Sequence, residues 1–204
     1  MDSVPGDWSP TVTRSFLFLL GSARAGGNTE MLARLAAEQL PAATEQRWLD
    51  LTEHRLADFV DGRHDEAGRP HHEAEELLRQ ATLAATDIVI ASPLYWYSLS
   101  SYAKRYLDYW SKWLRTPDPG FKAQMASRTL WGVTALAHRE EEVAAPLVMT
   151  LNHSAAYMGM RFGGVLLGNG SRPGQVLDDG QAVIRAKTFF AQDAPLARFP
   201  YQED

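Results

Sequence analysis

An apolar run that stops at a small, hydroxyl-bearing loop limits this chain more than any other feature. Phe16-Leu17-Phe18-Leu19-Leu20 has no polar alternation, the pattern of a strand covered on both faces. Gly21-Ser22-Ala23-Arg24-Ala25-Gly26-Gly27-Asn28-Thr29 follows at once. Met31, Leu32, Leu35, Ala36 and Leu40 then recur at helical spacing, with Asn28 or Thr29 as cap and Pro41 as stop. A buried strand that hands such a loop to a helix start is an anion cradle. Backbone N–H groups point at the ligand, and the helix dipole favours negative charge. Ser22, Asn28 and Thr29 add side-chain donors, and Arg24 adds a fixed charge suited to a phosphate dianion. A turn that needed only tightness would require none of these.

The same punctuation recurs along the chain. Strands are predicted at 46–51, 87–91, 130–136 and 163–167. Helices are predicted at 73–84 and 100–115, from about residue 144 through Met158, and at 181–190. Pro146 fits only a first turn. Residues 52–70 form a long polar connection in which His54, Arg55, Arg63, His64 and Arg69 are scattered among acids. Strands alternating with helices, without repeats, predict an α/β three-layer sandwich on a five-stranded parallel sheet. Right-handed crossovers make 2-1-3-4-5 the simplest strand order. Ligands of such sheets bind beyond the C-terminal strand ends, where strands 1 and 3 diverge. That rule selects residues 21–29, 92–98 and 134–138, the last group including Thr134, Ala135 and His138.

Composition narrows the classes. The 204 residues suit one domain, expected at 14–204, behind a loosely held leader at 1–13 that contains Pro5, Gly6 and Pro10. A net charge of −5 offers no basic footprint for nucleic acid or an anionic membrane. The absence of cysteine excludes disulfides, thiolate metal sites and cysteine-ligated clusters. No apolar run approaches a membrane span. The run ending at Leu20 is too short for a secretory signal and follows Asp2 and Asp7, so the expected location is cytoplasmic.

Two phosphate-binding patterns fail on spacing. No Gly-Lys-Ser/Thr follows the glycines, so the lysine and magnesium hydroxyl of a P-loop are missing. Asp50 ends strand 2 where a ribose-binding acid could sit, but Gly21 and Gly26 fit the dinucleotide frame only if Ala23 were glycine. A loop rich in side-chain donors suits a terminal phosphomonoester better. Ser92-Pro93-Leu94-Tyr95-Trp96-Tyr97-Ser98 then places three consecutive aromatics beside the presumed phosphate site. Flat aromatic walls and loop N–H groups are what a flavin ring needs.

At this point Gly21-Ser22-x-Arg24-x-x-Gly27-Asn28-Thr29 resembles the phosphate loop of the NAD(P)H-dependent FMN reductases, a family with the flavodoxin-like fold. Ser92-Pro93-Leu94-Tyr95-Trp96, followed by Ala103-Lys104-Arg105-Tyr106-Leu107-Asp108, resembles the second signature of that family. Leu49-Asp50-Leu51 and the stretch from Gly168-Asn169-Gly170 to Pro173-Gly174 are further, weaker matches. The resemblance implies FMN phosphate contacts from Ser22, Arg24, Asn28 and Thr29, with loop N–H groups such as that of Gly27. It implies isoalloxazine contacts from Pro93, Leu94, Tyr95 and Trp96. It also implies an enzyme in which flavin N5 takes a hydride from NAD(P)H and passes two electrons to a flavin, quinone or similar acceptor, with no catalytic side chain. Tyr109 stands where relatives commonly carry arginine, and Tyr97 where a small residue is common, so the substrate pocket should differ in shape. A flavodoxin-type electron carrier or a non-catalytic flavin sensor is the alternative.

His138 reads most simply as a solvated loop histidine, and otherwise as a donor that tunes the flavin. His71 and His72 are adjacent and cannot share a metal; His153 reads as a helix-surface or interface group. No metal site is expected. On the 100–115 helix, Ala103, Tyr106, Leu107, Trp110 and Leu114 make one apolar stripe, while Tyr102, Tyr109 and Trp113 make a second around Arg105. Two such faces exceed what one sheet can cover, which predicts a homodimer through the second stripe.

Overall fold

In the computed structural model, residues 13–62, 72–115 and 120–201 are described. The expected leader lies outside them except for Thr13, as do Arg63, His64 and Arg69 of the polar connection, and His71 after it.

Five strands form one parallel sheet: β1 (Ser15–Leu20), β2 (Glu45–Asp50), β3 (Asp87–Ala91), β4 (Thr129–Leu136) and β5 (Arg161–Asn169). Their order is β2-β1-β3-β4-β5, the flavodoxin-like order expected from the alternation. Among the described residues, six α-helices accompany them: α1 (Asn28–Ala37), α2 (Glu73–Ala84), α3 (Ser101–Trp113), α4 (Phe121–Met125), α5 (Ala145–Met158) and α6 (Gly180–Ala186).

The run of five apolar residues in β1 divides by parity. Leu17 and Leu19 join the core under α2, α3 and α5, while Phe16, Phe18 and Leu20 join the core under α1 and α6. A strand flanked on both sides needs apolar residues at every position, which is why no alternation shows in the sequence. Leu20 pairs with Asp50 on one side and Ala91 on the other, and Ala91 pairs in turn with Val133. The C-terminal ends of β2, β1 and β3 are therefore level, β4 and β5 run three residues further to the paired Leu136 and Asn169, and the loops that leave the strands share one edge.

At the opposite end, Arg14 donates through Nε and NH2 to both oxygens of buried Asp87, and Trp131 Nε1 donates to the same carboxylate at 2.8 Å. Trp131 lies flat against Gly163, where a Cβ would come within 2.1 Å of the indole. The β4–β5 register shifts between Leu130 and Gly132 at this seat, and β5 is longer than its apolar run suggested.

Three expectations change. The last helix stops at Ala186, because Phe189 and Phe190 turn inward against Trp131, Phe16 and Phe18. The connection after β2 is only partly solvated: Leu56 is buried and Phe59 packs edge-on against Tyr109. Consequently the second aromatic stripe of α3 is not left open for a partner subunit. Tyr109 is 6% exposed and Trp113 2% exposed, covered by this segment and by α2. Arg105 donates to Leu56 O and pairs with Asp58, Tyr109 donates to Ala57 O, and Trp113 donates to Glu75. The chain covers this face itself, with only Tyr102 left partly open.

Candidate functional site

The hydrogen-bond ladder runs one residue beyond the strands and so places the site loops side by side. Gly21 N–H donates to Ala91 O at 2.8 Å, Ser92 N–H to Val133 O at 3.0 Å, and Gly170 N–H to Leu136 O at 2.9 Å. The loops enclose a cleft of about 280 Å3 lined by Ser22, Arg24, Gly27, Asn28, Thr29, Pro93, Leu94, Tyr95, Ala135, Ala137, Gly170 and Ser171. A larger apolar hollow of about 380 Å3, lined by Phe16, Leu40, Pro41 and Phe190 among others, lies at the opposite end of the sheet. The smaller cleft is the candidate site, because it lies at the strand C-termini and faces a helix N-terminus. The larger hollow faces the negative end of α1 instead.

Gly27 is the N-cap of α1, and no side chain caps it. The N–H groups of the first turn are therefore left for a ligand or water. Behind them, Ser22 Oγ accepts from Arg24 N–H at 3.1 Å and shapes the loop. Arg24 is exposed at the rim, and its guanidinium has no hydrogen-bond or ion-pair partner among the described residues. A fixed cation beside open N–H donors is a site for a dianion.

Two expected phosphate ligands use their side chains elsewhere. Asn28 Nδ2 donates to Gly170 O at 2.9 Å and Arg172 O at 2.8 Å. Buried Thr29 accepts from Ala135 N–H at 3.2 Å through Oγ1. Both residues line the cleft, but their side chains fasten α1 to the loop beyond β5 and to β4. Gly170 fits beneath this clamp because it lacks a side chain; a Cβ there would stand 2.6 Å from Val176 N and 3.0 Å from Asn28 Nδ2.

The loop after β3 supplies the second wall. Ser92 Oγ accepts from Ser100 N–H at 2.9 Å, Ser100 caps α3 through Ala103 N–H, and Thr134 Oγ1 donates to Ser92 O. Thr134, expected at the cofactor, is thus fully buried beneath the site. Tyr95 and Ser98 exchange both backbone hydrogen bonds at 3.0 Å around a two-residue turn. Its residues Trp96 (φ 48°) and Tyr97 (φ 64°) both sit in the left-handed region. Trp96 is 94% exposed and stands outside the cleft lining, unlike Pro93, Leu94 and Tyr95.

His138 is exposed and also stands outside the lining; its carbonyl accepts from Asn169 Nδ2 at 2.6 Å. Ala137 falls within the 134–138 stretch that the switch-point rule selected, whereas no cofactor contact was expected from Ser171. The Gly168-Asn169-Gly170 stretch was the available signal for the wall that holds Ser171. Among the described residues, no group of three or more His, Cys, Asp or Glu could hold a metal ion. Nor is any described helix long and apolar enough to cross a membrane.

This cleft suits FMN. It combines an uncapped helix start and a free arginine for the phosphate with Pro93, Leu94 and Tyr95 as an apolar wall for the ring. The comparisons with known proteins agree. The model of the family described as NADPH-dependent FMN reductase matches residues 15–163. A Bacillus subtilis protein named as the NAD(P)H-dependent FMN-containing oxidoreductase YwqN is 32% identical over 168 residues, covering 81% of this chain and 91% of its own. The Trp repressor binding protein of Bacillus subtilis superposes with a TM-score of 0.69 at 27% identity, over 87% of this chain and 99% of its own. An NAD(P)H:quinone oxidoreductase from Methanothermobacter marburgensis shares the fold at 15% identity, with a TM-score of 0.66 over 86% and 96% of the two chains.

Proposed function

The chain belongs to the NADPH-dependent FMN reductase family, and from that premise we propose that it carries two electrons from NAD(P)H, through N5 of FMN, to a flavin, a quinone or a similar small acceptor. It is an NAD(P)H-dependent oxidoreductase with FMN as its cofactor. The proposal treats residues 14–204 as one FMN-binding domain.

The observation that carries it is the uncapped start of α1 opening into a cleft that also holds Arg24 and Tyr95. In this reading the N–H groups of Gly27, Asn28 and Thr29, the Ser22 hydroxyl and Arg24 hold the phosphate. Pro93, Leu94 and Tyr95 flank the ring, and Ala135, Ala137 and Ser171 close the far side. Bound FMN supplies the hydride acceptance and two-electron donation. The protein's residues orient it and leave one ring face open to NAD(P)H and the acceptor in turn. For a quinone the balance is one hydride from NAD(P)H and one solvent proton, giving hydroquinone and NAD(P)+. His138 is exposed and absent from the cleft lining, so a tuning role would act from outside the cleft.

A cytoplasmic setting, where NAD(P)H is held, goes with this chemistry. A homodimer is also part of the proposal, with its contact moved to α5. That helix has no charged residue between Ala145 and Met158, and it exposes Met149 and Tyr157. Sedimentation should give a dimer that Met149→Lys weakens; a wild-type monomer at micromolar concentration would remove this part.

Steady-state turnover tests the main reading. The FMN-loaded protein should consume NADH or NADPH when a benzoquinone is supplied. Tight FMN binding without such consumption would make it an electron carrier or sensor.

A further inference from the structure

The phosphate loop is held from behind by a carboxylate whose charge should oppose its purpose. Gly26 is in the left-handed region at φ +62°, and its N–H donates to Glu30 Oε2 at 2.8 Å. Glu30 lies in the first turn of α1. In an ordinary capping box a serine or threonine at the N-cap takes the first-turn N–H, and the glutamate reaches back to the N-cap itself. Here the N-cap is Gly27, which has no side chain to plug the turn, and the glutamate reaches one residue further back. The loop is thereby fixed without using the N–H groups that face the cleft.

A carboxylate bonded to the loop that would hold the phosphate repels that phosphate unless neutralised. Its other oxygen, Oε1, accepts from Arg34 Nε at 2.8 Å, with Arg34 NH2 at 2.7 Å. Arg34 is itself seated 4.3 Å above the Trp48 ring, and Trp48 stacks on Phe18 of β1 at 3.9 Å. The two oxygens of Glu30 are thus divided between loop and counter-ion, and Arg24 is left free for the ligand.

We infer that Glu30 is a positioning residue for the phosphate loop, and that Arg34 cancels the charge this role introduces beside a bound phosphomonoester. The inference rests on the FMN reading and adds two residues outside the cleft lining to it.

The test compares affinities for FMN and riboflavin, which differ only in the phosphate, by quenching of flavin fluorescence. Wild type, Glu30→Ala, Glu30→Gln and Arg34→Gln are measured alongside their melting temperatures. Glu30→Ala should weaken FMN by about ten-fold or more and leave riboflavin within about two-fold. Glu30→Gln retains an oxygen for the Gly26 N–H and should hold FMN within about three-fold of wild type. Arg34→Gln, which leaves the carboxylate uncompensated, should weaken FMN but not riboflavin by about three-fold, and high salt should shrink that effect. The inference is overturned if Glu30→Ala binds FMN like wild type, if it loses riboflavin equally, or if Glu30→Gln fails as Glu30→Ala does. Unchanged FMN affinity in Arg34→Gln removes the charge-cancelling role. A wild-type protein that binds neither flavin removes the FMN reading and this inference with it; failure confined to the variants removes the inference alone.

Discussion

The side-chain amide of Asn28 donates to the Gly170 carbonyl at 2.9 Å, fastening the first residue of α1 to the loop beyond β5. A second bond from the same nitrogen reaches Arg172 O at 2.8 Å. Asn28→Asp would set an oxygen against two carbonyl oxygens, so it should cost about 1–3 kcal/mol of stability and also weaken FMN binding. Asn28→Ala removes the bonds without adding repulsion and should be milder. Urea unfolding and FMN titration measure both. An aspartate variant more stable than the alanine variant would contradict the clamp.

Arg24 has the opposite character, since its guanidinium has no hydrogen-bond or ion-pair partner among the described residues. Arg24→Ala should leave unfolding within about 0.5 kcal/mol of wild type, the ordinary range for a surface change. FMN affinity should fall by about ten-fold or more, as expected from losing a charge-assisted bond to phosphate. Isothermal titration decides this: an affinity within a few-fold of wild type assigns the phosphate elsewhere.

The turn at Trp96 and Tyr97 stores strain. Two-residue hairpins with both central φ values positive favour Asn-Gly, and a bulky residue there is costly. Replacing the pair by Asn-Gly should stabilise the protein by about 1–2 kcal/mol, provided the backbone keeps its turn. NAD(P)H–quinone turnover should fall in the same variant, because Tyr95 shares the hairpin and lines the cleft. A variant that is both less stable and fully active would refute the account of this turn.

How much of this was legible in the sequence depended on whether the signal was local. β1, β3 and the loop after each could be read, because a double-sided strand and its punctuation lie within about fifteen residues. The strand order followed from the alternation and the handedness of crossovers. The cover over α3 could not be read, because Leu56 and Phe59 are isolated apolar residues in a charged stretch with no period. Only the folded chain shows them against Tyr109 and its neighbours. The end of α6 was hidden for a similar reason, since Phe189 and Phe190 continue a helical pattern but pack edge-on against Trp131. In the site, residue types named the ligand class, while the partner of each polar side chain was set at long range. Asn28 meets a carbonyl 142 positions away, and Thr29 meets an amide 106 positions away.

Asp179 links the far wall to pH. Burial alone would raise its pKa, but N–H donors from Asn169, Ala182 and Gln181, with Arg185 nearby, outweigh this and hold the carboxyl below its ordinary value. A carboxylate with a lowered folded-state pKa adds stability that is present above the unfolded value, near about 3.9, and lost as pH falls toward the folded value. Asp179→Ala removes the α6 cap and should cost about 1 kcal/mol at pH 7. The difference from wild type should narrow below about pH 4 in urea midpoints. A gap that stays constant down to pH 3 would mean that ionisation of Asp179 contributes nothing.

The most direct measurement is the visible spectrum of the purified protein with one equivalent of FMN, titrated anaerobically with NADPH and NADH. The account predicts a flavin band perturbed by binding, bleached by at least one of the two nicotinamides, and restored when a quinone is added. A flavin spectrum identical to that of free FMN, or a bound flavin that neither nicotinamide bleaches, would contradict it.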